Sequence, residues 1–245
     1  MSKLEWSQHF GKQPALEEPA NSLTLLGTQE AMGVVLYFLR HGQTAYSLTG
    51  GYCGTSQNDP GLTPEGLEMA QEFAEAYVDF PWTAAYVSPL RRAIETARPL
   101  CETVGLEMQI RDGLREVMYG RWEGMRPTEV DQEYHDEYVA WLTDPAWYAP
   151  VGGERAVDIN RRSSTVLDEI ERTHTEGHIL LVSHKATIRI MLSTLMGIDV
   201  GRYRDRMDMP VAAVSIVELA PRGPLFHTIA DRSHLGERLR ALPST

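Results

Sequence analysis

The chain has 245 residues, 42% of them hydrophobic and 23% charged, and a net charge of -11. That is enough for one large α/β domain with a sizeable core, and its acidic surface repels nucleic acid and anionic membrane, so neither is an expected partner. No apolar run reaches membrane-span length, the N-terminus lacks a secretory pattern, and the two cysteines, Cys53 and Cys101, form neither a disulfide framework nor a metal cluster, which fits a reducing, cytoplasmic setting.

Residues 1–32 are mixed and polar, with Pro14 and Pro19 and no clear period. They read as an N-terminal arm or a partly disordered tail, with Met32 a candidate natural start. Such an arm could embrace a second subunit, which leaves a homodimer open. The run Val34–Leu39 has strand length and is apolar throughout, as a strand buried on both faces requires. A glycine-rich loop, Gly42 to Gly61, follows. Thr63-Pro64-Glu65-Gly66 then reads as a helix start, with Thr63 as N-cap and Pro64 at N1. Leu67, Ala70, Phe73, Ala74 and Tyr77 continue it at helical spacing. Ala84–Val87 is a second strand, Ser88-Pro89-Leu90 opens a helix through about Val104, and Leu106–Ile110 is a third strand.

Residues 124–155 break this alternation. Tyr134, Tyr138, Trp141, Trp147 and Tyr148 stand there among acidic residues and prolines, as in a small helical cap over strand ends or a pair of surface helices with aromatic contacts. Val157–Arg172 is helical, His178–Val182 is a strand, and a helix runs from about Ala186 to Met196. Val211–Leu219 and Leu225–Ile229 form a hairpin around Pro221-Arg222-Gly223-Pro224. The expected fold is α/β, a three-layer sandwich with a mostly parallel sheet and an antiparallel edge strand.

Three strands, ending near Leu39, Val87 and Val182, are each followed by Arg or His. If those ends are neighbours, Arg40, His41, either Arg91 or Arg92, and His184 converge where open α/β sheets bind ligands. That set suits phosphoryl transfer, in which catalysis is mainly positioning and charge stabilisation. Fork donors hold the equatorial oxygens, and nearby cations keep His41 neutral and able to attack in line. No divalent metal and no cofactor is signalled. His9, His135, His174, His178, His227 and His234 lack metal-ligand spacing and read as structural or exposed.

The chain resembles the histidine phosphatase superfamily, in its phosphoglycerate mutase-like branch. Arg40-His41-Gly42-Gln43-Thr44 resembles its signature, and Leu62-Thr63-Pro64-Glu65-Gly66 its "LTxxG" segment. Ser88–Ala97 resembles "SxLxRAxxTA". Leu114-Arg115-Glu116 with Gly120–Gly124 resembles "LxE…GxWEG", Gly152-Gly153-Glu154 "GGE", and Val182-Ser183-His184 "VSH". The resemblance covers about residues 34 to 235, so that 33–245 form one histidine phosphatase domain with a cap insertion at about 124–155.

The resemblance implies that His41 is the phosphorylated nucleophile and Glu116 the proton donor. Arg40, Arg92 and His184 hold the phosphoryl group. Arg92 takes this place rather than Arg91, which reads as a helix-surface charge. Gln43 and Thr44 line the same loop, and Glu123 and Glu154 are the other acids within range. Lys185-Ala186 stand where many relatives have glycine after the second histidine. Lysine there is strained if the position needs positive φ, and otherwise free to bring its charge to substrate. Tyr46-Ser47 replace a common Trp-Asn.

The implied activity is a metal-independent phosphomonoesterase acting on a small anionic phosphorylated metabolite through a phosphohistidine. A phosphoglycerate mutase and a non-catalytic phosphate-binding module are the alternatives. The compact segment after Glu116 resembles the phosphatases. Arg111, Arg121, Arg126 and Arg155 are candidate contacts for a carboxylate or second phosphate on a sugar or sugar-acid substrate, or else solvated charges.

Overall fold

The structure, a computed structural model, describes residues 33–55 and 59–243. The arm expected over 1–32 lies outside the described residues. Six strands form one sheet in the order β3-β2-β4-β1-β5-β6. Strands β1 (Val34–Arg40), β2 (Trp82–Val87), β3 (Met108–Ile110) and β4 (Gly177–Ser183) are parallel. The hairpin adds the antiparallel edge: β5 (Val214–Ala220) runs against β1, and β6 (Gly223–Asp231) against β5.

The apolar run of β1 is buried along its whole length because helices cover both faces. Val34, Leu36 and Phe38 pack with Ile179 and Leu181 of β4. Over them lie Val166, Leu167 and Ile170 of α6 (Ala156–Thr173) and Ile188, Met191 and Leu192 of α7 (Lys185–Leu195). On the other face Tyr37 meets Tyr77 of α2 (Pro64–Tyr77) edge-on, with α3 (Arg91–Val104) packed beside α2. Each large apolar side chain so enclosed contributes about 1.5–3 kcal/mol relative to exposure.

Register does the work of gathering the site. Leu39 of β1 pairs with Val182 of β4, and Val87 of β2 pairs with the same Val182. Three parallel strands therefore end level, and Arg40-His41, Ser88 and Ser183-His184 emerge side by side. The chain leaves β1 into α2 on one face of the sheet and leaves β4 into α7 on the other. Adjacent strands that part in this way open a crevice at their carboxyl ends.

Three departures from the sequence reading have a clear physical cause. Strand β3 begins at Met108 because Gly105, at φ 69°, ends α3 and lets Leu106 N donate to Cys101 O. Strand β5 begins at Val214, since Ala212 turns the chain at φ 55°. That turn braces the end of β1: Ala212 N donates to His41 O, and Arg40 N to Ala213 O. Within the glycine-rich loop sits a short helix, α1 (Ala45–Thr49), closed by a reciprocal capping box between Thr44 and Ser47.

The 124–155 segment forms α4 (Pro127–Glu133) and α5 (His135–Thr143). Trp141 of α5 is buried with Trp122 and Val130, whereas Trp147 and Tyr148 are exposed.

Candidate active site

His41 is buried at the end of β1, its N–H donating to Ser183 O of β4. Its Nδ1 lies 2.7 Å from the carbonyl oxygen of Gly42. A carbonyl only accepts, so Nδ1 carries the ring proton and Nε2 carries the lone pair. Burial, then the charges of Arg92 and Arg40, hold its pKa well below 6.5. The imidazole is neutral at physiological pH.

Gly42 and Gly66 explain each other. A Cβ on Gly42 would stand 2.6 Å from Gly66 O, and a Cβ on Gly66 would stand 2.2 Å from Gln43 O. The first turn of α2 thus presses directly on the loop after His41. Thr63 fastens the contact: its N–H donates to Gln43 O and its hydroxyl to Gln43 Oε1. This turns the Gln43 side chain toward α2, and Gln43 does not line the cavity described below.

Arg40 is buried beside His41 and donates through Nη1 to Met209 O at 2.6 Å. Burial brings its pKa down to about 10, so it remains a cation at neutral pH. Arg92 is held in a fork: Nη1 donates to Asp59, and Nη2 to the carbonyls of Cys53 and Gly54. Its neighbour Arg91 is exposed and pairs with Glu95. The choice between the two arginines is therefore one of burial and direction.

His184 is fully buried as the residue before α7. Its Nε2 lies 2.7 Å from Ser88 Oγ, while Nδ1 is buried with no partner among the described residues. Burial, then Arg92 and the His41 ring, hold its pKa well below 6.5.

Glu116 meets the amino end of α7. Its Oε1 accepts from Thr187 N and Oγ1 and from Val117 N, and its Oε2 accepts from Ala186 N. The His184 side chain does not cap α7, so the carboxyl oxygens of Glu116 accept from the N–H groups left free at its amino end. The other two acids have structural partners instead. Glu123 accepts from Gly54 N and Tyr119 N, and Glu154 is paired with Arg115 and Arg162.

Lys185 is the first residue of α7, and positive φ among non-glycine described residues is confined to Ala212 and Ala230. Lysine is thus unstrained where relatives have glycine. Burial and the charges of Arg40 and Arg189 lower its pKa to about 8.

A cavity of about 450 Å³, the size of a small-molecule site, opens beside this cluster. Arg40, His41, Thr44, Arg92, Glu116 and Lys185 form one side, and His184 lies just behind His41. The 124–155 segment contributes Arg126, Pro127, Thr128 and Tyr138. Of the four arginines considered for a further anion, Arg126 alone reaches the cavity. Arg111, Arg121 and Arg155 are paired with Glu169, Glu137 and Asp158. The sequence reading missed Arg189 and Arg204, which border the adjoining space. Arg189 was recoverable, since it stands four residues after Lys185 on the same helix face. Nothing local singles out Arg204 from Arg202 and Arg206. Among the described residues, no group of three or more His, Cys, Asp or Glu is arranged to hold a metal ion.

A three-layer α/β fold with two buried histidines and two buried arginines at a sheet switch point defines a protein built to hold a compact anion. The sequence profile of the histidine phosphatase superfamily (branch 1) matches residues 36–232, and the chain belongs to that family. It is 28% identical over 208 residues to phosphoserine phosphatase 1 of Hydrogenobacter thermophilus, covering 83% of this chain and 95% of that one. It is 34% identical over 175 residues to glucosyl-3-phosphoglycerate phosphatase of Mycolicibacterium vanbaalenii, covering 69% and 76% of the two chains. The solved structure of mycobacterial glucosyl-3-phosphoglycerate phosphatase with VO3 aligns at a TM-score of 0.74 and 27% identity, covering 81% of this chain and 99% of that one.

Proposed function

We propose that the protein is a phosphomonoesterase that transfers the phosphoryl group of a small metabolite first to His41 and then to water. The observation that carries this reading is the bond from His41 Nδ1 to Gly42 O, which leaves Nε2 unprotonated as nucleophile. Nε2 attacks phosphorus and the ester P–O bond breaks. Glu116, in its acid form, gives its proton to the departing alkoxide oxygen. A water then attacks the phosphohistidine and passes a proton to the Glu116 carboxylate. The N–P bond breaks and phosphate is released. Arg40, Arg92 and His184 stabilise the charge on the equatorial oxygens. Thr44 lies in the same wall, and Lys185 adds positive charge at its edge.

The relatives cited above are named as phosphatases, and the turn after Glu116 is compact, with Gly120–Trp122 forming one 3-10 turn. Both features favour hydrolysis over a mutase, which must shield its intermediate from water. Cys53 and Cys101 are free thiols, in keeping with a cytoplasmic enzyme.

The test is phosphate release from a panel of phosphorylated metabolites in the presence of a chelator, comparing wild type with His41→Ala. Chelator-resistant release that disappears in the variant supports the reading. Movement of phosphate between hydroxyls without release would make the protein a mutase. Phosphate binding without labelling of His41 would make it a binding module.

A further inference from the structure

Beyond the phosphoryl site, a second group of cations lies without carboxylate partners among the described residues. Arg189 is on α7, one turn beyond Lys185, and Arg204 is on α8 (Tyr203–Arg206). With Tyr52, Tyr119, Trp141 and Tyr203 they border a smaller space of about 130 Å³. Lys185, Tyr52, Tyr119 and Arg204 border both this space and the main cavity, so the two adjoin.

Three observations point to an anion-binding site. Arg189 Nε and Arg204 Nη1 are buried with no hydrogen-bond partner among the described residues. An unsatisfied buried donor costs about 1–3 kcal/mol, and more when it is charged. The charges also repel one another: Arg204 lowers the pKa of Arg189, and Arg189 lowers those of Lys185 and Arg40. At Lys185 the repulsion from Arg40 and Arg189 outweighs the attraction of Asp208 and Glu116, whereas at Arg189 the attraction of Asp208 exceeds the repulsion from Arg204. Finally, the protein carries 34 acidic residues against 23 basic ones, yet these two arginines have no carboxylate partner among the described residues, while Arg111, Arg121 and Arg155 each engage one.

The guanidinium of Arg204 lies 3.8 Å from the centre of the Trp141 ring. Stacking fixes its plane and leaves its edge free to offer parallel N–H donors. A planar carboxylate accepts such a fork with two oxygens. The surrounding rings suit a short carbon stem.

We propose that Arg189 and Arg204, with Lys185 at the junction, form a carboxylate subsite, so that the substrate is a phosphomonoester also bearing a carboxylate. This rests on the phosphatase reading above. The subsite selects the substrate and takes no part in bond breaking. Its position fixes the order of the groups: phosphate at His41, carboxylate beyond Lys185, and a carbon chain between.

Two pairs of compounds differing in the carboxylate test this: 3-phosphoglycerate against glycerol 3-phosphate, and phosphoserine against phosphoethanolamine. Wild type is expected to favour the carboxylate member of each pair by about tenfold or more in kcat/KM. In Arg204→Gln and Arg189→Gln the ratio falls toward one, mainly through KM. Binding of the same compounds to His41→Ala, followed by tryptophan fluorescence, reads the subsite without catalysis. A binding preference that Arg204→Gln removes supports the subsite even if no phosphate is released, in which case the phosphatase reading alone has failed. Equal affinity within both pairs, or an Arg204→Gln variant that weakens both members equally, would overturn the subsite and leave the phosphatase reading intact.

Discussion

The rings of His41 and His184 lie 5.1 Å apart between centroids and are tilted by 52°, one at the end of β1 and the other at the end of β4. The pairing of Arg40 with Ser183 across these strands brings them together. Two imidazoles so close to two guanidiniums stay neutral, because a proton on either would face desolvation and repulsion together. A neutral His41 keeps Nε2 free for the proposed attack and leaves the positive charge to Arg40 and Arg92.

Stability should therefore fall with acid. Both histidines have native pKa values well below 6.5, whereas in the unfolded chain they titrate near 6.5. Below pH 6.5 the unfolded state binds protons that the native state does not, so the stabilisation is complete above 6.5. It is lost as pH falls toward the native values, at up to about 1.4 kcal/mol per pH unit for each histidine. Urea midpoints from pH 7.5 to 5.0 should show this slope. His184→Gln, whatever its stability at pH 7.5, should have a slope shallower by one proton. An unchanged slope would count against a neutral His184 in the native protein.

Arg92 and Arg91 are adjacent in sequence and opposite in circumstance. Arg92 uses two nitrogens to grip Asp59, Cys53 O and Gly54 O, whereas Arg91 is exposed. A lysine cannot reproduce the fork. Arg92→Lys is expected to lower kcat by about 10²–10³ with the far-ultraviolet spectrum retained. Arg91→Lys should stay within about twofold, as a surface charge does. Comparable losses in the two variants would mean that Arg92 does not face the phosphoryl group.

Most of the sheet was legible in the sequence because buried parallel strands are continuous apolar runs, as Val34–Leu39 and Ile179–Val182 are. The convergence of Arg40, His41, one of Arg91 and Arg92, and His184 was legible for a related reason, since each lies at a strand end or opens the next helix; the choice of Arg92 came from the resemblance to the family motif. What was not legible depends on tertiary contact. Gln43 belongs to a phosphate-loop motif, yet its side chain is claimed by Thr63, twenty residues on. The helix α1 rests on a Thr44–Ser47 box in a stretch whose glycines read as loop. Arg204 gains significance only where folding lays it on Trp141.

Gly66 is the most sensitive small residue of the loop contact. A methyl group there would stand 2.2 Å from Gln43 O, with backbone on both sides and no flexible side chain to yield. Overpacking of this kind costs about 1–3 kcal/mol. Because the displaced segment directly follows His41, Gly66→Ala should lower kcat as well as the urea midpoint. Its neighbour Glu65, half-buried in the same first turn, provides the control: Glu65→Ala should leave kcat within about twofold. If Gly66→Ala unfolds more easily but keeps full kcat, the contact serves stability and not the placing of His41.

The role of Glu116 can be separated from its capping of α7 by changing the leaving group. A glutamine can still accept the N–H of Ala186 or Thr187 through its amide oxygen, so α7 should persist. It cannot donate an acidic proton. With an alkyl phosphate the departing alkoxide is a strong base, and loss of the acid should lower kcat/KM by about 10²–10⁴. With p-nitrophenyl phosphate the departing phenolate is stable without a proton, and Glu116→Gln should lose far less. The ratio of the two losses is the informative quantity, because misplacing His41 would slow both substrates alike. Equal losses would assign Glu116 to holding the amino end of α7 and send the search for the proton donor elsewhere in the cavity.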